Sequence, residues 1–249
     1  MKSIAIIPAR YGSTRFPGKP LAELAGKPIL QHVYERVRQA ACISEVYIAT
    51  DDQRIEDRAH AFGAEVVMTD PAHHSGTDRC AEVADGLPGD YIVVNIQGDE
   101  PFIDPRQIDQ VSSLLCDQDA VGISTLARRL TDVDAIANPN IVKVVMNAAG
   151  RALYFSRSPI PFLREVPREQ WVGQGVFFKH LGIYGFRRQV LLDIAHLPPG
   201  RYEQLERLEQ LRWLEAGYAI QVGETDQETL GIDTPQDLER AIRKIAQKQ

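Results

Sequence analysis

Apolar positions along the chain come in short runs, and the runs alternate between two periods. Ile4-Ala5-Ile6-Ile7 is an unbroken, largely branched run of the length expected for a buried strand. Ile29 to Ala41 follows at helical spacing, with Leu30, Val33, Val37 and Ala41 on one face. Val46 to Ala49 reads as a second strand. Thr50-Asp51-Asp52 then starts a helix from Arg54 to Phe62, and Gly63 closes it. Glu65 to Met68 is a third strand. Thr77 or Asp78 caps a helix to Ala84, Tyr91 to Ile96 is a strand, and Pro105 opens a helix to about Cys116. Alternation of this kind predicts an α/β fold with a mostly parallel sheet and helices on both faces.

The middle of the chain changes character. Val121 to Leu126 and Ile141 to Met146 read as strands, and Asn147-Ala148-Ala149-Gly150 turns the chain into Ala152 to Phe155. A proline- and arginine-rich stretch follows, then an apolar run from Phe177 to Phe186. The expectation is a single domain over residues 1–249 with a small antiparallel lobe inserted at about 138–187. Arg188 to Ala195 is a short helix. Leu205, Leu208, Leu211 and Leu214, with Trp213, mark one more helix, and Tyr218 to Val222 a strand. Thr234 caps the last helix, Pro235 is its first residue and Asp237 fills the acidic capping-box position; Leu238, Ala241, Ile242 and Ile245 form its buried stripe.

A chain of 249 residues is long enough to bury a large core. Its formal charge of −6 argues against a general nucleic-acid or membrane-surface binder, so any cations for a ligand must be local. Cys42, Cys80 and Cys116 are isolated, with no disulfide framework or zinc spacing. The first apolar run is shorter than a secretory signal core, and no run approaches a membrane span. The expected location is the cytoplasm.

The local cations lie between Pro8 and Pro20, directly after the first strand. This loop holds Arg10, Arg15, Lys19, the hydroxyls of Ser13 and Thr14, two glycines and three prolines. Glycine lets backbone N–H groups approach a ligand, proline reduces the entropy lost on binding, and cations attract phosphate. The loop is neither a Walker A motif nor Gly-x-Gly-x-x-Gly. It reads as a polyphosphate cradle, against the plainer reading of a basic solvent loop. In a parallel sheet the loops after the strands' carboxyl ends gather at one edge. That brings together Ala9 to Lys19, Thr50 to Asp52, and Gln97 to Glu100, one cationic and two acidic. Phosphate with a divalent metal is the simplest ligand that needs both signs. Asp99 suits Mg²⁺, which takes few carboxylates along with phosphate oxygens, against the plainer reading of a turn carboxylate bonding its own backbone. Asp233 is either a second metal ligand or a carboxylate before a helix cap. Arg79 either lines a base or sugar pocket or lies on a helix surface. His180 and Tyr184, four apart in a strand, share one face, where the plain reading is a satisfied core pair.

Taken together, these stretches resemble the 3-deoxy-manno-octulosonate (Kdo) cytidylyltransferases. Pro8 to Leu21, Thr69 to Arg79 around His74-Ser75-Gly76-Thr77, Asn95 to Pro101, Asn138-Pro139-Asn140 through Val145, Ala152 to Pro161, His180 to Gly185, Leu208 to Arg212 and Gly231 to Leu238 carry the resemblance. The opening loop and Gln97-Gly98-Asp99-Glu100-Pro101 are similar, more loosely, to other sugar-acid cytidylyltransferases. Phe16 and Phe186 depart from the pattern without removing a chemical group. The resemblance implies a Rossmann-like sheet of the nucleotide-diphosphosugar transferase type. It implies a transferase joining CTP and Kdo into CMP-Kdo and diphosphate for lipopolysaccharide synthesis, acting as a homodimer through the middle lobe. Lys19, Asp99 and Asp233 would be catalytic, with Mg²⁺ on Asp99 and Asp233. Ala9, Arg10, Ser13, Arg15, Lys19, Ser75, Arg79, Gln97 and Asp99 would hold CTP. Arg157, His180, Tyr184, Glu209 and Gln210 would line the sugar-acid pocket. An 8-amino-Kdo or sialate enzyme is the nearest alternative, and a non-catalytic nucleotide-binding protein a more distant one.

Overall fold

The first apolar run forms the centre of a twisted sheet in the computed structural model, which describes residues 1–12, 15–116 and 120–246. Strand β1 (Lys2–Pro8) precedes a two-stranded ribbon, β2 (Glu23–Leu24) and β3 (Lys27–Pro28), and helix α1 (Ile29–Val37). Next come β4 (Ile43–Thr50), α2 (Gln53–Ala61), β5 (Glu65–Met68), α3 (Gly76–Gly86), β6 (Tyr91–Asn95) and α4 (Pro105–Cys116). The second half holds β7 (Ile123–Arg129), α5 (Val133–Ala137), β8 (Lys143–Met146), β9 (Ala152–Ser156), β10 (Phe178–Arg187), α6 (Arg188–Ala195), α7 (Arg201–Glu206), α8 (Gln210–Glu215), β11 (Ile220–Glu224) and α9 (Pro235–Ala246).

The main path across the sheet is β11-β7-β10-β6-β1-β4-β5. β1 runs parallel to β4 and β6, β4 to β5, and β7 to β11. Only β10 opposes its path neighbours, pairing antiparallel with β6 and β7. Alternate residues of one strand feed two cores. Ile4 and Ile6 pack on one face with Val93 and Phe186, and Ala5 and Ile7 on the other with Val94 and Leu115. Burial on both faces explains why these strands read as continuous apolar runs.

The 138–187 segment divides in two. β8 and β9 form a hairpin off the main path, whereas β10 lies in its middle. Ile183 and Phe186 of β10 are buried, so this end of the segment belongs to the central core.

Four local expectations change. α1 stops at Val37, because β4 already begins at Ile43 and the chain needs residues to reverse direction. Ser75 caps α3: its side chain accepts from the Asp78 N–H while Asp78 accepts from the Ser75 N–H, a closed capping box. The leucine-rich stretch near 205–214 is two helices, not one. Arg207 adopts the left-handed region (φ 55°) between them, which turns Leu205 out to 72% exposure while Leu208 and Leu211 stay buried. On α9, Ala241 is buried but Ile242 faces solvent; the Thr234–Asp237 capping box forms as the sequence suggests.

Candidate active site

Carboxyl ends of β1, β4, β5 and β6 open on one edge of the sheet, and a cleft of about 320 Å³ lies there. Ala9, Arg10, Arg15, Lys19, Ser75, Arg79, Gln97, Asp99 and Asp233 all line it. Three chain segments meet at its floor around Pro8. A Cβ on Gly98 would come within 3.0 Å of the Pro8 carbonyl oxygen, and one on Gly76 within 3.0 Å of the Pro8 ring. Glycine is what lets the ends of β1 and β6 and the start of α3 come this close.

The cationic loop is held from behind. Gly18, in the left-handed region at φ 71°, donates its N–H to the Tyr11 carbonyl at 3.0 Å. The Arg54 guanidinium lies 3.4 Å above the Tyr11 ring, and Asp52 accepts from Arg54 in turn. A 3-10 turn, Lys19–Leu21, follows Gly18 and aims Lys19 inward. Ser13, expected among the CTP contacts, lies outside the described residues.

Lys19 Nζ donates to Asp99 Oδ2 at 2.5 Å and to Asp233 Oδ1 at 3.2 Å, and Arg15 Nη2 reaches the same Asp233 oxygen at 3.3 Å. Asp99 and Asp233 are 134 positions apart in sequence but share one cation. The link is a strap after β11. Gln110 donates to the Glu224 carbonyl at 2.7 Å, Arg106 to Gln227 at 2.9 Å, and the Ile232 N–H to the Asp99 carbonyl at 2.9 Å. Ile232 is then buried against Leu24 and Ile29. The strap therefore delivers Asp233 to the end of β6, although β11 and β6 are not neighbours in the sheet.

The acidic loop after β4 does something other than the charge count suggested. Asp51 accepts from Arg79 Nη2 at 2.8 Å, and Asp52 caps α2 and pairs with Arg54. Both carboxylates are thus committed to protein cations. Arg79 lines the cleft as expected of a ligand contact, but its side chain is 5% exposed and braced by Asp51 and the Thr69 hydroxyl.

Of the five residues expected around the sugar acid, His180 and Tyr184 pack on each other, whereas the Arg157 guanidinium turns to backbone carbonyls. His180 is half-buried beside Thr125 Oγ1, 3.0 Å from Nε2, with Phe155 edge-on. Burial, helped by the charge of Lys179, lowers its pKa to about 3, so the ring is neutral. Tyr184 packs on His180 and Trp213, and burial next to Glu209 raises its phenol pKa far above the usual value. Two residues bulge from β10 between Leu181 and Tyr184, which keeps both rings on one side. Glu209 accepts from Thr77 at 2.7 Å and is made less acidic by burial. Gln210 is buried at the start of α8. Arg157 instead serves the backbone: its guanidinium donates to the carbonyls of Glu206, Pro139 and Arg207. Three carbonyls match the donors of the guanidinium fork.

Sequence reasoning missed several groups. Asn95 Oδ1 and Trp213 Nε1, with the already expected Tyr184 OH, are buried and without a hydrogen-bond partner among the described residues, a polar set at the end of β6 suited to a polar ligand. Asn95, the one polar residue in an apolar strand, was the available signal. Glu100 has its pKa raised to about 8, by burial and then by Asp99 and Asp233. Glu206, which accepts from Ser156 Oγ at 2.6 Å and the Arg157 N–H at 3.0 Å, gave no sequence signal.

A family model described as cytidylyltransferase matches residues 4–242. A 3-deoxy-manno-octulosonate cytidylyltransferase from Parabacteroides distasonis is 50% identical over the whole of both chains. The chain belongs to the 3-deoxy-manno-octulosonate cytidylyltransferase family. A second member, from Geobacter sulfurreducens, is 49% identical over 98% of this chain and 100% of its own. A solved structure of the family, a CMP:2-keto-3-deoxy-manno-octonic acid synthetase complexed with CTP, superposes with a TM-score of 0.92 at 44% identity, covering 100% of each chain. A 4-diphosphocytidyl-2C-methyl-D-erythritol synthase from Anaerococcus prevotii (TM-score 0.63, 14% identity, 98% of this chain and 99% of that one) shares the fold alone.

Proposed function

We propose that this chain joins CTP and Kdo to give CMP-Kdo and diphosphate. The observation that carries the reading is the meeting of Lys19, Asp99 and Asp233 at a cleft whose other wall is the cationic loop. Family membership supports the choice of CTP and of Kdo as sugar acid.

The metal site is judged on its donor set. Two carboxylates with nearby phosphate oxygens suit Mg²⁺, a hard cation that keeps few protein ligands. Both aspartates already share a single positive charge, so they lie close enough to share a metal. When bound there, Mg²⁺ would neutralise the α-phosphate and the sugar carboxylate and make the attacking hydroxyl more acidic. The chain's own residues do the rest. Arg10, Arg15 and Lys19 gather the triphosphate, and the rigid loop limits the entropy lost on binding. Lys19 and Arg15 oppose the charge that grows on the departing diphosphate. The anomeric 2-hydroxyl oxygen of Kdo bonds to the α-phosphorus while the bond from that phosphorus to the α–β bridging oxygen breaks; diphosphate leaves with that oxygen, and the hydroxyl proton passes to solvent. Glu209, Gln210, Tyr184 and His180 would face the sugar acid, with His180 a neutral hydrogen-bonding group.

The same reading makes the product a precursor for lipopolysaccharide and the setting the cytoplasm. It also makes the working unit a homodimer joined through the β8–β9 lobe. β9 has an unpaired outer edge among the described residues, and Leu153 and Phe162 nearby are exposed. The test is diphosphate release from CTP and Mg²⁺ with Kdo, 8-amino-Kdo or sialate offered in turn. Release with Kdo at the highest kcat/KM is expected. Preference for another acid would reassign the substrate, and CTP binding without release from any acid would favour a nucleotide-binding protein.

A further inference from the structure

We infer that Lys19 is a resident counter-ion that keeps divalent metal out of the nucleotide-free site and gives way when triphosphate arrives. The inference rests on the metal reading above and concerns the order in which that site fills.

Lys19 Nζ touches the two carboxylates that would hold the metal, at 2.5 Å and 3.2 Å. Its side chain is 12% exposed, so the charge is screened little by water. Arg15 adds a second cation to the same Asp233 oxygen. A metal ion would need these lone pairs and the space the ammonium fills. It would also arrive as a like charge next to Lys19. Metal entry therefore requires Nζ to leave, and leaving is costly unless another anion receives it.

The cradle supplies that anion only when nucleotide is bound. Lys19 starts a turn fixed by Gly18 and Pro20, so its backbone stays in place. The four-carbon side chain can still swing from carboxylates to phosphate. Triphosphate would draw Lys19 and Arg15 off Asp99 and Asp233 and so uncover the metal ligands. The two binding events are then positively coupled. By linkage, metal must favour nucleotide as strongly as nucleotide favours metal. Lys19 thus has a second role besides contacting the leaving group: it prevents an inert metal-loaded state without substrate.

The experiment measures Mn²⁺ binding to the nucleotide-free full-length chain by the loss of the free-ion electron paramagnetic resonance signal. Wild type should bind weakly. Lys19→Met should bind ~10-fold or more tightly, within the usual range of coupling between sites. Lys19→Arg, which keeps the charge, should stay weak. Asp99→Asn added to Lys19→Met should abolish the gain. Thermal melts give a second readout: Mn²⁺ should raise the Tm of Lys19→Met but not of wild type. If Lys19→Met does not fold, Lys19→Gln takes its place. Equal Mn²⁺ affinity in wild type and the neutral variant would overturn the inference. So would Lys19→Arg binding as tightly as Lys19→Met. The metal reading fails separately if CTP-loaded wild type and CTP-loaded Asp99→Asn hold Mn²⁺ alike.

Discussion

Removing the Asp51 carboxylate tests whether the acidic loop after β4 serves the protein or the metal. Asp51 accepts from Arg79 Nη2 at 2.8 Å; the arginine side chain is 5% exposed and the aspartate 21%. Asp51→Ala leaves a buried guanidinium with the Thr69 hydroxyl, a neutral partner, at 2.6 Å. Breaking a fully buried pair costs about 3–5 kcal/mol. Partial exposure of Asp51 and the surviving Thr69 contact reduce that to about 2 kcal/mol. For a chain of this size such a loss lowers Tm by roughly 4–8 °C. Because Arg79 lines the cleft, KM for CTP should rise while kcat falls less. Arg79→Met combined with Asp51→Ala should cost less than the two single changes added together. Calorimetric melts and steady-state kinetics on the four proteins decide it. A Tm within one degree of wild type, with additive effects, would refute the bracing role. A collapse of kcat with normal Tm and KM would instead return Asp51 to the metal.

Other expectations follow from the same geometry. Asp99→Ala should lower kcat ~10²-fold or more in the diphosphate-release assay, through loss of electrostatic stabilisation, with folding retained by circular dichroism. His180, with its pKa lowered from 6.5 to about 3, is neutral in both folded and unfolded chains above pH 6.5. Below that pH only the unfolded chain takes the proton, so its contribution is lost as pH falls from 6.5 toward 3, about 2 kcal/mol of it by pH 5. Denaturant titrations of His180→Gln across that window should show a flatter acid limb. Glu206→Ala should free the Ser156 hydroxyl and the Arg157 backbone N–H and so loosen the join between β9 and the break between α7 and α8, raising KM for the sugar acid several-fold with KM for CTP unchanged, while Glu206→Gln retains part of the affinity.

Local rules made much of the fold legible. The Thr234–Asp237 box and the proline at the start of α4 were readable because caps depend on neighbours in sequence. So was the parallel half of the sheet, because strands covered on both faces have continuous apolar runs. What failed was decided at a distance. Arg207 takes a left-handed backbone in the middle of a leucine pattern that otherwise continues, and Arg157, from β9's end, accepts the task of holding its carbonyl. The resemblance named Arg157 as a ligand residue, and nothing in its sequence neighbourhood shows the three carbonyls its guanidinium meets.

The cleft shows the same division at the level of chemistry. Charge counting correctly located cations and carboxylates at one sheet edge but could not apportion them. Among four aspartates there, Asp51 and Asp52 are held by Arg79 and Arg54, both from helices that begin beside them. Among the described residues, the carboxylates of Asp99 and Asp233 pair with Lys19 and Arg15 of the segment after β1, whose side chains can be drawn away by a ligand. A carboxylate paired with a braced or helix-borne arginine is spent on architecture, whereas one paired with a lysine on a ligand loop remains available. Charge alone lists all four alike; the partner's mobility separates them, and the meeting of Asp99 with Asp233 depends on a strap reaching Asp99 through one backbone bond from Ile232.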